Sequence, residues 1–291
     1  MDIPVSKEAL DPLVAREQLL LEYIRSYSRY YSRSESKTRQ RCREQLFQER
    51  EMGPLVERLE RLCGSLAGMR VLEIGSGSGG RSVAVALRGA VVFGIEPSAA
   101  GVEISRLRAQ RYSDLQVQFE VGVGEHLPFP DASFDLVFST DVLQHLQDLK
   151  QVLAETHRVL KPGGQCYHEA PNNLYPYEFH YRLFWLPYTP KPLGKLYARL
   201  RGKDPRHLDD ISFLYRRHLI AAMRRAGFTS LRDVYVDEMR RKAQQADLIE
   251  SSLKRKVFRL FQWLRAVQLA IRIASAIGIH PQLRIHGVKP V

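Results

Sequence analysis

The chain has 291 residues, long enough to bury a sizeable core as one decorated domain, and its ordinary globular composition excludes a mainly disordered chain. The net charge of +12 is uneven: residues 1–190 hold 22 Lys/Arg against 24 Asp/Glu, whereas residues 191–291 hold 22 against 8. The basic surplus therefore belongs to the last third, which suits an anionic surface or acceptor, or a plain solvated basic face.

Residues 6–67 are charged and Leu-rich with a break near Ser32–Ser36, which predicts an N-terminal helical cap over 1–67. Strands are predicted near 69–75, 90–96, 115–121, 134–140 and 163–170, alternating with helices near 79–88, 98–110 and 146–160. Residues 171–212 break that rhythm as an aromatic insertion in a core spanning 68–237. A helix near 213–226 and a strand near 228–237 follow. A basic amphipathic helical insertion over 238–281 precedes a last core strand in 282–291. The pattern predicts an α/β fold: a doubly wound, mostly parallel, seven-stranded Rossmann-like sheet with helices on both faces.

Cys42, Cys63 and Cys166 are scattered, without a C-x-x-C pair, which fits a reducing setting. The first residues carry no apolar signal core, and no uncharged apolar run reaches about 18 residues. The expectation is a cytoplasmic protein, or one peripheral at the inner face of the membrane.

Residues 71–80 read Val-Leu-Glu-Ile-Gly-Ser-Gly-Ser-Gly-Gly. A short apolar strand runs there into a turn where glycine lets the backbone bend sharply and approach a ligand. Glu96 lies 21 residues past Gly75, where a parallel sheet sets a carboxylate against a ribose. Gly75, Gly77 and Gly80 also satisfy G-x-G-x-x-G, so a nicotinamide dehydrogenase must be weighed. Three features turn the reading. Glu73 lies two residues before the first glycine, within reach of a cofactor's amino-acid end. Residues 122–135 read Gly-Val-Gly-Glu-His-Leu-Pro-Phe-Pro-Asp-Ala-Ser-Phe-Asp. Residues 159–164, Val-Leu-Lys-Pro-Gly-Gly, form a helix stop before a strand.

Together these residues resemble the class I S-adenosylmethionine-dependent methyltransferases, in the subgroup with a Leu-Pro-Phe segment before strand four. The resemblance is close over about 68–170 and looser through Arg216–Phe228. It implies S-adenosyl-L-methionine as cofactor, bound by Gly75 and Gly77. It implies that Glu96 accepts both ribose hydroxyls, a task suited to an acceptor-only, bidentate carboxylate. The Gly124–Glu125 backbone would edge the adenine, and Glu73, Pro97, Ser139 and Thr140 complete the implied set. Val123 stands where the family commonly has Asp for the adenine amino group. Backbone groups or Glu125 are expected to serve instead.

Methyl transfer from a sulfonium is an in-line displacement. The protein aligns donor and acceptor, and adds a base where the acceptor holds a proton. The resemblance sets Ser139–His145 beside the methionine end, and His145 matches a histidine frequent there. It is a candidate base or a helix cap. Segment 171–197 gathers eight of the chain's 27 aromatics, at the carboxyl edge of the sheet where open α/β folds bind ligands. Within it Glu178 and His180 are a candidate base pair, against a plain aromatic lid packed on itself. No third ligand has suitable spacing, so no metal is expected. Pro-Asn followed by Glu-x-His resembles methyltransferases of bacterial cell-surface saccharide clusters. Tyr23, Tyr27, Tyr30 and Tyr31, at helical spacing, either close over the cofactor or pack on the core.

Ser251–Ile277 sets Arg255, Arg259, Arg265 and Arg272 opposite Phe258, Phe261, Trp263 and Leu264. Such a helix suits peripheral membrane contact, packing on the protein's own core, or a homodimer. Without a recognisable RNA-binding module, no nucleic-acid partner is expected. The resulting expectation is an S-adenosylmethionine-dependent methyltransferase for a small-molecule or cell-envelope saccharide or lipid acceptor, acting at oxygen. The alternative is a catalytically idle cofactor-binding scaffold. Glu73, Gly75, Gly77 and Glu96 argue against it, and Val123 argues for it.

Overall fold

The computed structural model describes residues 45–178, 180–244 and 278–291, together with Leu269 and Ile273. Strands β1 (Arg70–Ile74), β2 (Val91–Glu96), β3 (Val117–Val121), β4 (Phe134–Thr140) and β5 (Leu160–Pro171) are mutually parallel. A short antiparallel hairpin, β6 (Tyr177–Glu178) and β7 (Leu183–Phe184), stands apart from the sheet. Strands β8 (Thr229–Asp233) and β9 (Gln282–Val288) finish the sheet, with β9 antiparallel to both its neighbours. The order is β3-β2-β1-β4-β5-β9-β8. The expected seven-stranded, mostly parallel sheet is observed.

Helices are α1 (Gly53–Cys63), α2 (Gly80–Ala86), α3 (Ala99–Ala109), α4 (Leu149–Val159), α5 (Lys191–Leu200), α6 (Arg216–Arg225) and α7 (Val234–Gln244). Alternation along the strands divides the core into two layers, because successive side chains point to opposite faces. Leu72, Ile74 and Val137 pack with Val152 and Leu153 of α4 and Leu219 and Met223 of α6. On the other face, Val71, Leu136, Phe138 and Tyr167 pack with Leu55 and Leu59 of α1, Ala84 to Ala86 of α2, and Val234 of α7. Among the described residues, no helix is long and apolar enough to cross a membrane.

Two expected boundaries move. β5 begins at Leu160, not near 163: Leu160 already pairs with Phe134, the ladder resumes at Gln165 opposite Leu136, and Lys161–Gly164 bulge out between them. Gly163 adopts φ +76° there, which glycine permits without a Cβ clash, and Lys289 Nζ donates to the carbonyls of His157 and Leu160. The strand expected near 228–237 stops at Asp233, because its carboxylate accepts the Tyr235 amide at 3.2 Å and starts α7. The tyrosines of the N-terminal cap lie outside the described residues. So does Ser251–Ile277, apart from the exposed Leu269 and Ile273.

Candidate active site

The loop after β1 is built by close approach. Gly75 has φ +73°, and a Cβ there would lie 2.3 Å from Val142 Cγ2, so the turn after β4 presses on bare backbone. Gly75 and Ser76 donate their amides to the Ile95 carbonyl, at 2.7 and 3.1 Å, which ties the loop to the end of β2. At that end sits Glu96, buried, accepting the Gly77 amide at 3.0 Å on Oε2 and the Ser98 amide at 3.1 Å on Oε1. Burial raises its pKa, and the two amides oppose the rise. Each oxygen keeps a further lone pair.

Glu73 is fully buried. Ser82 Oγ donates to its Oε2 at 2.5 Å, while Oε1 has no partner. Desolvation lifts its pKa to about 7, against the pull of Arg81. Ser76 Oγ, Thr140 Oγ1 and Gln144 Oε1 are also buried without partners. Thr140 ends β4 and Ser76 follows β1, so these polar atoms gather at the carboxyl edge of the sheet. Ser139 differs: its hydroxyl is committed to a 2.8 Å hydrogen bond with buried His168 Nδ1. Desolvation lowers the His168 pKa to about 4.

Gly124 is buried, and a Cβ there would lie 2.9 Å from Ile74 Cγ2. Glu125 turns toward the start of α4, accepting the Gln147 and Asp148 amides at 3.2 and 3.4 Å. Pro97 and Val123 are exposed. A glycine cradle, a doubly anchored carboxylate and an orphaned buried carboxylate oxygen fit S-adenosylmethionine: hydroxyl donors for one acid, an ammonium for the other.

The acceptor side is assembled from distant segments. Asn172 Nδ2 donates to the carbonyls of Gly278 and His280, and Asn173 exchanges hydrogen bonds with the backbone of Leu214. The Pro-Asn-Asn run thus anchors the insertion. Glu178 Oε1 meets His180 Nδ1 at 2.7 Å, and its Oε2 accepts the Tyr181 amide at 2.6 Å. Burial alone would raise Glu178, but His180 and that amide outweigh it and hold its pKa below the ordinary value.

His207 lies against His180, with ring centroids 4.4 Å apart and the planes tilted by 53°, and its ring centroid is 6.3 Å from that of His145. Its pKa is lowered to about 4, by desolvation first and His180 second. His145 is itself exposed, yet the surrounding protein and His180 depress its pKa. Glu178, His180 and His207 bring ligand atoms within 4.8 Å of one another, which supplies the third donor that sequence spacing lacked. The Ser212 amide donates to the Gln144 carbonyl at 2.6 Å and ties this cluster to the end of β4.

Sequence reasoning missed several participants. Asp141 has φ +60° and pairs with Arg81 at 3.4 Å; such strain in a non-glycine residue concentrates at functional sites. Asp141 lies within Ser139–His145, so its acidic side chain was the available signal. His207 lies 29 positions past Glu178, and no spacing rule reaches it. Arg108, fully buried on α3, donates to Ser78 O at 2.7 Å, Gln45 O at 2.7 Å and Leu46 O at 3.1 Å, and pairs with buried Glu49. It fastens residues 45–49 onto the back of the glycine loop.

The methyltransferase domain family matches residues 72–168. The demethylmenaquinone methyltransferase of Tropheryma whipplei (strain Twist) is 31% identical over 163 residues, covering 53% of this chain and 67% of that protein. The chain belongs to the class I S-adenosylmethionine-dependent methyltransferases. The ubiquinone biosynthesis O-methyltransferase of Pseudomonas putida (strain F1) is 38% identical over 110 residues, 37% of this methyltransferase and 47% of its own length. This methyltransferase therefore spans about half of that relative. In fold it is similar to Haemonchus contortus phosphoethanolamine N-methyltransferase 2, solved with S-adenosylhomocysteine. The TM-score is 0.53 at 21% identity, over 82% of this methyltransferase and 53% of that chain.

Proposed function

We propose that this methyltransferase methylates a hydroxyl of a small-molecule or cell-envelope saccharide or lipid acceptor, with His180 as the base. The 2.7 Å hydrogen bond between Glu178 Oε1 and His180 Nδ1 carries the reading. An ionised Glu178 accepts Nδ1–H and fixes the tautomer, which turns the basic lone pair onto Nε2. His207, held neutral, walls the ring without competing for the proton. His145 is the second candidate for the same proton.

When bound, S-adenosylmethionine supplies an electrophilic methyl group on a sulfonium. Gly75, Gly77 and Glu96 would hold its ribose and chain, Glu73 Oε1 its ammonium, and the Pro97, Gly124 and Glu125 backbone the adenine. Thr140 would line the methionine end. Ser139 would support Thr140 through His168 rather than touch the cofactor. The two sequence relatives are a demethylmenaquinone methyltransferase and a ubiquinone biosynthesis O-methyltransferase, which supports a small-molecule acceptor.

The test is turnover to S-adenosylhomocysteine across a panel of hydroxyl acceptors and their deoxy analogues. Wild type should act only on the hydroxyl compounds, and His180→Ala should lose most of that rate. Methylation at nitrogen or carbon, or a His180→Ala rate within about threefold of wild type, overturns the base assignment. A second reading, favoured by the 4.8 Å grouping of Glu178, His180 and His207, is that they hold a divalent cation that activates the acceptor. A chelator that abolishes turnover, with recovery on adding the cation, would select it.

A further inference from the structure

Residues 181–186 alternate. Tyr181, Leu183 and Trp185 are buried with Ala198, Leu208 and Ile211 in a small core of their own. The intervening Phe184 and Leu186 point outward, 61% and 64% exposed. A half-buried strand ordinarily presents polar residues on its outer face; here exposed Arg182 shares that face with two large apolar residues.

Helix α5 repeats the pattern. Gly194 lets it sit on the Trp185 ring, where a Cβ would come within 2.6 Å, and Ala198 points inward. Leu193, Leu196 and Leu200, spaced i, i+3 and i+7 on the outer side, are 59%, 52% and 76% exposed. With Tyr188 they form a run of six large exposed apolar residues on one segment. Patches of that kind, rimmed by polar groups, mark interaction sites. The rim here is cationic: Lys191, Arg199, Arg201 and Lys203 flank or follow the leucines, and Asp204 is the single acidic residue in 182–206.

We propose that the outer face of Phe184–Leu200 is a docking surface for an anionic phospholipid bilayer. The composition selects the occupant. Leucine and aromatic side chains enter the headgroup–acyl boundary, while Lys and Arg extend along it to meet phosphates. Of the seven cations in residues 182–206, Lys195 pairs with Asp209 and Arg206 with Asp204, and the other five complement a negative sheet. The β6–β7 register then has a consequence. Tyr177 and Phe184 pair on the lipid-facing side, and Glu178 pairs with buried Leu183. The Glu178–His180 pair lies one strand face away from the membrane. This surface is separate from Ser251–Ile277, and the docking does not depend on the base assigned to His180.

The test is sedimentation of the full chain with vesicles of equal phosphatidylglycerol and phosphatidylcholine, against phosphatidylcholine alone. Wild type should bind the anionic vesicles at low salt, and release in about 0.5 M salt, where screening shortens to a few Å. Leu193→Glu combined with Leu200→Glu should cut vesicle affinity at least tenfold, with cofactor binding by calorimetry unchanged. Should that variant not fold, Arg199→Glu with Lys203→Glu, on exposed charges, should produce the same loss. Wild type that ignores anionic vesicles, or variants that bind them as wild type does, overturns the proposal. So does concentration-dependent self-association that the same substitutions abolish, which would assign the face to a second copy of the chain.

Discussion

The two halves of the candidate active site are built in opposite ways. The cofactor half is local: Gly75, Gly77, Glu73 and Glu96 lie within 24 consecutive residues, on two adjacent strands paired in register. The proposed acceptor half joins Asp141, His145, Glu178, His180 and His207, which span 67 residues and are brought together by a hairpin, two asparagine anchors and a backbone bond from Ser212. A site made within one supersecondary unit keeps its geometry whatever is inserted elsewhere. A site made by an insertion is free to change its acceptor without disturbing the donor. Function-bearing connections on a rigid scaffold follow this division.

The donor half is most sensitive at Gly77. Its φ of +57° is a genuine outlier for a β-branched residue, and its amide fixes Glu96. Gly77→Val should abolish S-adenosylmethionine binding in calorimetry while the acceptor half stays folded. A variant that still binds cofactor would show that the donor side is not made by this loop. On the other half, His180→Ala should lower kcat by about 10²–10⁴-fold, with cofactor affinity within twofold. An equal loss in both quantities would mean that the halves are not separable.

Glu73 sharpens the contrast through pH. Its pKa is about 7 in the fold against an ordinary 4.5, so between these values the folded, cofactor-free protein holds a proton that the unfolded chain has lost. Stability then falls as pH rises through that window, by up to about 3 kcal/mol. Urea titrations of wild type and Glu73→Gln should diverge by that slope between pH 4.5 and 7. Over the same range, wild-type cofactor affinity should rise as Glu73 ionises toward the ammonium, and that of Glu73→Gln should stay flat. The smallest effect is expected at exposed Val123. Val123→Asp should tighten cofactor binding by about 2–10-fold, one hydrogen bond of roughly 0.5–1.5 kcal/mol, and leave acceptor turnover constants unchanged.

The division also explains what could be read from the chain. Strand and helix periodicity, the glycine turn and Glu96 are short-range signals, and β1 to β4 appear within two residues of their expected limits. Glu178 and His180 were visible as neighbours. His207 was not, because an insertion's packing decides which distant histidine arrives, and no periodicity encodes that. The strand limits that moved, at Leu160 and Asp233, each turn on one side chain: Lys289 crossing to the carbonyls at the end of α4, and Asp233 capping α7. The resemblance implies Ser139 on the cofactor, and the hydrogen bond its hydroxyl makes to His168 is a long-range contact that no local pattern announces.

Arg108 has a further consequence. Its guanidinium grips Ser78 on the glycine loop and the backbone of residues 45 and 46 at once. The docking of that preceding segment and the shape of the loop are therefore coupled equilibria. Whatever factor the docked segment contributes to cofactor affinity, bound cofactor returns to the docking of the segment. A ligand on one face of the loop thus reports to a stretch of chain on the other, with one buried arginine as the messenger.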